Sequence, residues 1–147
     1  MKKNVSNDIK LRNRTRIRVR FSEVDSMQIV WHGEYVRYFE DGREAFGMEY
    51  PGLGYMDIYQ SGYGAPMVEM TLQYKRPLRC NDMAVVETRY ISTEAAKICF
   101  EYEIKRESDG EIVATGTSTQ VFVDGKGDLQ LLSPEFYLKW KEKWGAL

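Results

Sequence analysis

Four segments of alternating apolar and polar residues follow a single long helix-periodic segment, and that order leaves few folds open. Val68, Met70, Leu72 and Tyr74 alternate with Glu69, Thr71, Gln73 and Lys75. Val85 to Ile91 makes the next segment, after a PLRCND turn. Ile98, Phe100, Tyr102 and Ile104 then alternate with Cys99, Glu101, Glu103 and Lys105, and Ile112 to Val123 is long and rich in Thr and Val. Period-two alternation is the mark of a half-buried strand. Asp109-Gly110, inside Ser108 to Glu111, predicts a hairpin between the last two strands. An earlier strand begins at Arg16, with Ile17, Val19 and Phe21 on one face and Arg16, Arg18 and Arg20 on the other. Each parallel strand pair needs a crossover, usually a helix, and only one long helix is present. The expected fold class is therefore α+β: an antiparallel sheet laid against one long helix.

That helix is predicted from about His32 to about Met48. Tyr35, Phe39, Gly42 and Phe46 fall at i, i+4, i+7 and i+11, one helical stripe, while Glu34, Arg37, Asp41 and Glu44 project elsewhere. Gly42 costs the helix about 1 kcal/mol relative to alanine, and close approach to a sheet is the expected compensation. Residues 50–66 carry Gly52, Gly54, Gly62 and Gly64 interleaved with Tyr55, Tyr59 and Tyr63, which reads as a connector around one short helix ending near Gly62. Ser133-Pro134-Glu135 starts a last helix, 133–144, with serine as cap, proline in the first turn and Phe136, Trp140 and Trp144 on its apolar face. Residues 1–14 read as a flexible, charged lead-in.

A length of 147 residues fits one domain spanning the whole chain. A formal net charge of -1 gives no basic excess for phosphates, so nucleic acid is not an expected partner. The first residues lack an apolar signal core, and no apolar run approaches the roughly 18 residues of a membrane span. A cytoplasmic protein without membrane insertion is expected. Cys80 and Cys99 make no metal-ligand spacing with each other or with the lone histidine, and neither a metal nor a disulfide is required.

The residues that carry chemistry sit at the junction of the first strand and the helix. Asp25 ends the strand, and His32, the only histidine, comes seven residues later where helical periodicity begins. A carboxylate and an imidazole beside a helix N-terminus form a candidate acid/base or nucleophilic pair. From the residues alone the plainer reading also stands: aspartate commonly serves turns, and a histidine at a helix start is commonly structural. Glu34 and Glu40 on the helix are rival acids, read as surface or ion-paired residues.

The stretch FSEVDSMQIVWHGEYVRYFEDGR, together with YKRPLRCND and YEIKRESDGEIVATGTSTQVFVD, resembles the 4-hydroxybenzoyl-CoA thioesterase family, nearest its Tol-Pal-associated bacterial branch. The resemblance runs from about Arg16 to Val123. It implies a hotdog fold, a curved antiparallel sheet wrapped around one long central helix. It also implies hydrolysis of acyl-CoA without cofactor or metal, and a homodimer or homotetramer in which two chains build each site. Asp25 falls on the family's essential carboxylate and His32 on an assisting histidine. Backbone N–H groups near His32 and Gly33 would stabilise the oxyanion. Phe21, Trp31, Gly33 and Tyr35 are the expected substrate-binding positions. Two further readings go with the resemblance: hydrolysis of acyl-carrier-protein thioesters, with Lys75, Arg76 and Arg79 as a local basic patch, and non-catalytic binding of acyl thioesters. Three positions depart from the family. Gln28 replaces a glycine, so the Asp25 loop is expected to lose that glycine's backbone freedom; Asn81 replaces another, tolerably; and Phe21 lacks the hydroxyl of the usual tyrosine.

Overall fold

A computed structural model describes residues 11–147. Five strands, β1 (Arg12–Arg18), β2 (Met67–Tyr74), β3 (Met83–Ile91), β4 (Lys97–Arg106) and β5 (Ile112–Val121), form one sheet in the order β1-β3-β4-β5-β2. Every neighbouring pair is antiparallel. The helices are α1 (Glu34–Glu49), α2 (Tyr55–Gln60) and α3 (Glu135–Trp144). The expected α+β class with an antiparallel sheet is what forms. β2 is not the neighbour of β3, however: it pairs with β5, and residues 75–82 carry the chain from the β2 edge of the sheet across to β3, which lies next to the opposite edge strand β1.

Alternation sorts the sheet into two faces. Val86, Thr88 and Tyr90 on β3 stand opposite Ile104, Tyr102 and Phe100 on β4, which in turn stand opposite Ala114, Gly116 and Ser118 on β5. Against this inner face α1 buries Tyr35, Tyr38, Phe39, Gly42, Arg43, Phe46 and Gly47. Phe39 stacks on Tyr102 with ring centroids 4.5 Å apart, and Phe46 meets Phe100 edge-on at 4.9 Å. Burying each such ring contributes about 2–3 kcal/mol. Gly42 has the expected role: a Cβ there would lie 2.4 Å from Thr88 Oγ1 and 2.8 Å from Val86 Cγ1. The opposite face carries Glu87, Arg89, Glu101 and Glu103, with Arg89 bridging Glu87 at 2.7 Å and Glu103 at 3.0 Å.

Several boundaries differ from the sequence reading. β1 already runs at Arg12, so the flexible lead-in does not extend to residue 14; its residues 1–10 lie outside the described ones. β1 also stops at Arg18. Val19 is drawn instead into bonds with the 81–82 turn, and residues 21–23 form a single 3₁₀ turn fastened by Glu23 Oε1, which accepts the Arg20 N–H at 2.9 Å. Phe21 is consequently turned outward and 81% exposed, not on the face of Ile17 and Val19. In β2 a bulge between Met67 and Glu69 disturbs the alternation, leaving Val68 exposed while Met70 and Leu72 pack. At α3 the cap position is Pro134, and Ser133 supplies no capping bond. Tyr137 and Trp140 are its most buried aromatics, and the indole N–H groups of Trp140 and Trp144 donate to the carbonyls of Tyr50 and Pro51.

Candidate active site

Between β1 and α1 the chain makes a small hairpin, with Val24 and Val30 bridged and Asp25 at the start of its tip. Gln28 N–H donates to the Asp25 carbonyl at 2.8 Å, and Asp25 N–H donates to the Ile29 carbonyl at 2.8 Å. This is a three-residue loop whose last residue takes the left-handed conformation. That residue is Gln28, at φ 64. The position therefore uses the backbone geometry a glycine would supply freely, contrary to the expectation that glutamine would forgo it. The only other non-glycine residue with positive φ among those described is Asn81, at φ 70, in the turn where its tolerance was expected.

The hairpin is anchored on three sides. Val30 N–H donates to the Leu78 carbonyl, Trp31 N–H to the Glu23 carbonyl, and Ile29 bridges Arg79. Within it Asp25 is partly buried, and its Oδ1 accepts the Met27 N–H at 2.8 Å. The other carboxylate oxygen has no hydrogen-bond partner among the described residues. Asp25 separates two open depressions. One, of about 370 Å³, is lined by Asp25, Met27, Val30, His32, Tyr35 and Tyr74 among others. The second, of about 620 Å³, is lined by Asp25 with Phe21, Gln28, Arg79 and Cys80.

The structure thus brings Asp25, His32 and Tyr35 to one cavity and places Phe21 with Asp25 on the other side. Trp31 and Gly33 line neither. The Trp31 ring lies across Gly33, where a Cβ would fall 2.2 Å from it, and its centroid is 5.0 Å from that of His32. Gly33 has ordinary helical angles, so glycine is needed there for room, not for conformation. Glu34 N–H donates to the Trp31 carbonyl, whereas the N–H groups of His32 and Gly33 have no acceptor among the described residues. They lie at the positive end of α1, where free N–H donors and the helix dipole favour an anion.

Tyr74 was not anticipated at the site. Its hydroxyl donates to the His32 carbonyl at 2.8 Å, and its ring stands 6.4 Å from His32 and 5.3 Å from Tyr35, edge to face. No local signal marks it: it ends a strand 42 residues from His32 in sequence. Burial raises the Tyr35 hydroxyl to about 12, so it is a proton donor throughout the neutral range. Tyr38, whose hydroxyl donates to Glu23 at 2.8 Å, is raised further by burial and by that carboxylate. Lys75 and Arg76 border the cavity of His32, whereas Arg79 borders the other, so the basic trio is divided. The rival acids line neither depression. Glu40 accepts the Tyr55 hydroxyl at 2.6 Å, and Glu34, expected to project outward, is buried and 3.4 Å from Arg37. Among the described residues no cluster of three His, Cys, Asp or Glu side chains could hold a metal ion.

Comparison with known proteins gives these features a family. The thioesterase-like superfamily matches residues 19–140. A putative acyl-CoA thioesterase of Bacillus subtilis (strain 168), YneP, is 34% identical over 108 residues, 74% of this chain and 77% of that protein. The chloroplastic acyl-acyl carrier protein thioesterase ATL3 of Arabidopsis thaliana is 30% identical over 110 residues, 75% of this chain but only 57% of that protein. A DHNA-CoA thioesterase structure from Staphylococcus aureus superposes with a TM-score of 0.81 at 24% identity, covering 92% of each chain.

Proposed function

The chain belongs to the thioesterase-like superfamily and is a thioester hydrolase, and on that premise we propose that it cleaves acyl-CoA to free acid and CoA at the Asp25 hairpin. The observation that carries this reading is the convergence of Asp25 and His32 on one cavity at the start of α1, where the N–H groups of His32 and Gly33 have no acceptor among the described residues. Thioester hydrolysis needs an oxygen delivered to the acyl carbon and donors for the charge that builds on the carbonyl oxygen. Asp25 supplies the first, by deprotonating water or by attacking to form an anhydride that water opens. One of its oxygens is held by the Met27 N–H, which fixes the carboxylate while leaving the other oxygen to act. The helix-start N–H groups supply the second, with His32 assisting through a hydrogen bond to the carbonyl or to water.

In this reading the sheet wraps α1 in the hotdog manner, and the placing of Asp25 and His32 supports the Tol-Pal-associated branch. Phe21 and Tyr35 bind substrate from the two sides of Asp25, with Trp31 and Gly33 contributing from the helix start beside His32. No cofactor or metal is needed. We assign the reaction to the cytoplasm, in keeping with two free cysteines. Both depressions are open, and among the described residues β2 leaves one backbone edge unpaired; a second copy of the chain covers them in a dimer, which pairs further into a tetramer. Sedimentation showing a fully active monomer at assay concentration would overturn that assembly.

The carrier-protein reading keeps one supporting observation, Lys75 and Arg76 on the cavity wall, where an acidic carrier would dock. Turnover of a panel of acyl-CoAs by wild type and Asp25→Asn tests the main reading. Hydrolysis lost in the variant supports it. Acyl-CoA that binds the wild type without turnover would favour non-catalytic binding, and selective hydrolysis of carrier-protein thioesters would favour the second reading.

A further inference from the structure

Arg43 is fully buried on the inner face of α1, yet among the described residues no carboxylate pairs with it. An isolated buried charge is costly unless hydrogen bonds and nearby π-systems replace its water. The guanidinium Nε donates to Gln120 Oε1 at 3.1 Å and one terminal nitrogen to the Leu53 carbonyl at 2.8 Å; the other terminal nitrogen has no acceptor among the described residues. Its carbon lies 4.8 Å from the Tyr55 ring centroid and 4.9 Å from that of Phe100. Gln120, itself buried on β5, donates through Nε2 to the Ala65 carbonyl at 2.7 Å. A single bonded chain, Leu53–Arg43–Gln120–Ala65, therefore grips both ends of the glycine-containing connector 51–66.

What the connector presents is apolar and unclaimed. Met56 and Tyr59 of α2 are well exposed, and Tyr55 is partly so. The Tyr55 hydroxyl bonds Glu40, which lies one helical turn beyond the exposed Val36 on α1. From Gly33 to Glu40 the helix rises about 10 Å. An acyl tail leaving the helix start along Val36 would meet the α2 side chains at that distance. Resting on the acyl-CoA reading above, we propose that Arg43 and Gln120 are positioning residues: their buried pair holds the connector in place and so sets which acyl-chain lengths the enzyme accepts.

The test combines Gln120→Leu, Gln120→Glu and Arg43→Lys with two readouts. Amide hydrogen exchange should accelerate about tenfold across 51–66 in Gln120→Leu, with the β3–β4 core unchanged. Gln120→Glu keeps an acceptor for Arg43 but loses the donor to Ala65, so only the 62–66 end should loosen. In the acyl-CoA panel, kcat/KM should fall about tenfold for tails reaching past Glu40, mainly through KM, and stay within about twofold for acetyl-CoA. Simple loss of stability would lower all chain lengths alike, and that result overturns the proposal. So does unchanged exchange across the connector. Should the wild type hydrolyse no thioester, the functional reading falls separately, and the exchange arm alone decides the grip on the connector.

Discussion

Replacing Asp25 by asparagine removes the carboxylate while keeping nearly everything it does for the fold. Asparagine retains an oxygen at the Oδ1 position, so the Met27 N–H at 2.8 Å keeps its acceptor and the turn survives. The stability change should stay within about 0.5 kcal/mol. Turnover should fall at least about a hundredfold, because the group proposed as base or nucleophile is gone. That loss is about 2.7 kcal/mol of barrier. Asp25→Ala makes the internal comparison: it loses the same chemistry and also the turn bond, adding about 1 kcal/mol of destabilisation. The assay is kcat/KM on an acyl-CoA panel by release of free thiol, beside urea unfolding of all three proteins. Equal activity losses in the two variants, with only the alanine protein destabilised, separate the chemistry from the turn. A folded asparagine variant within about threefold of wild type would refute the assignment and turn attention to Glu34 and Glu40.

His32→Ala should lower turnover less than Asp25→Asn does, since the backbone donors at the helix start persist; the same panel checks it, and a larger loss would make imidazole the principal base. Gln28→Gly should stabilise the protein by about 0.5 kcal/mol, the relief of left-handed strain exceeding glycine's added chain entropy, while Gln28→Val should destabilise it by more than about 1 kcal/mol; urea midpoints giving the reverse order would sink the argument from φ 64. Glu87 gives a pH test: burial works to raise its carboxyl, but the Arg89 hydrogen bond and the charges of Arg89, Arg14 and Arg12 outweigh it and hold the group below the usual glutamate range. Its folded value being lowered, its contribution is present above about pH 4.3 and is lost as pH falls through that lowered value. Glu87→Gln should therefore narrow the stability difference between neutral and acid unfolding.

Much of the architecture is legible in the chain itself. Strand alternation, the Asp109-Gly110 hairpin, the stripe of Tyr35, Phe39 and Phe46, and a glycine at 42 all report what a segment needs from its immediate surroundings, because side-chain periodicity and backbone conformation are local properties. That Asp25 and His32 share one cavity is legible for the same reason: one short loop joins them. Their neighbours are not. Tyr74 reads as an ordinary buried strand position, and only the pairing of β2 with β5, far from its sequence neighbour β3, brings its hydroxyl to the His32 carbonyl. Phe21 continues the β1 alternation in sequence, yet Val19 bonds to the 81–82 turn and the chain swings Phe21 outward beside Asp25. Arg43 looks like a polar residue beside a helical stripe, but Gln120 and the Leu53 carbonyl await it on elements that meet only in the folded chain. Periodicity tells a segment which side to bury, whereas the choice of what it is buried against belongs to packing among distant segments.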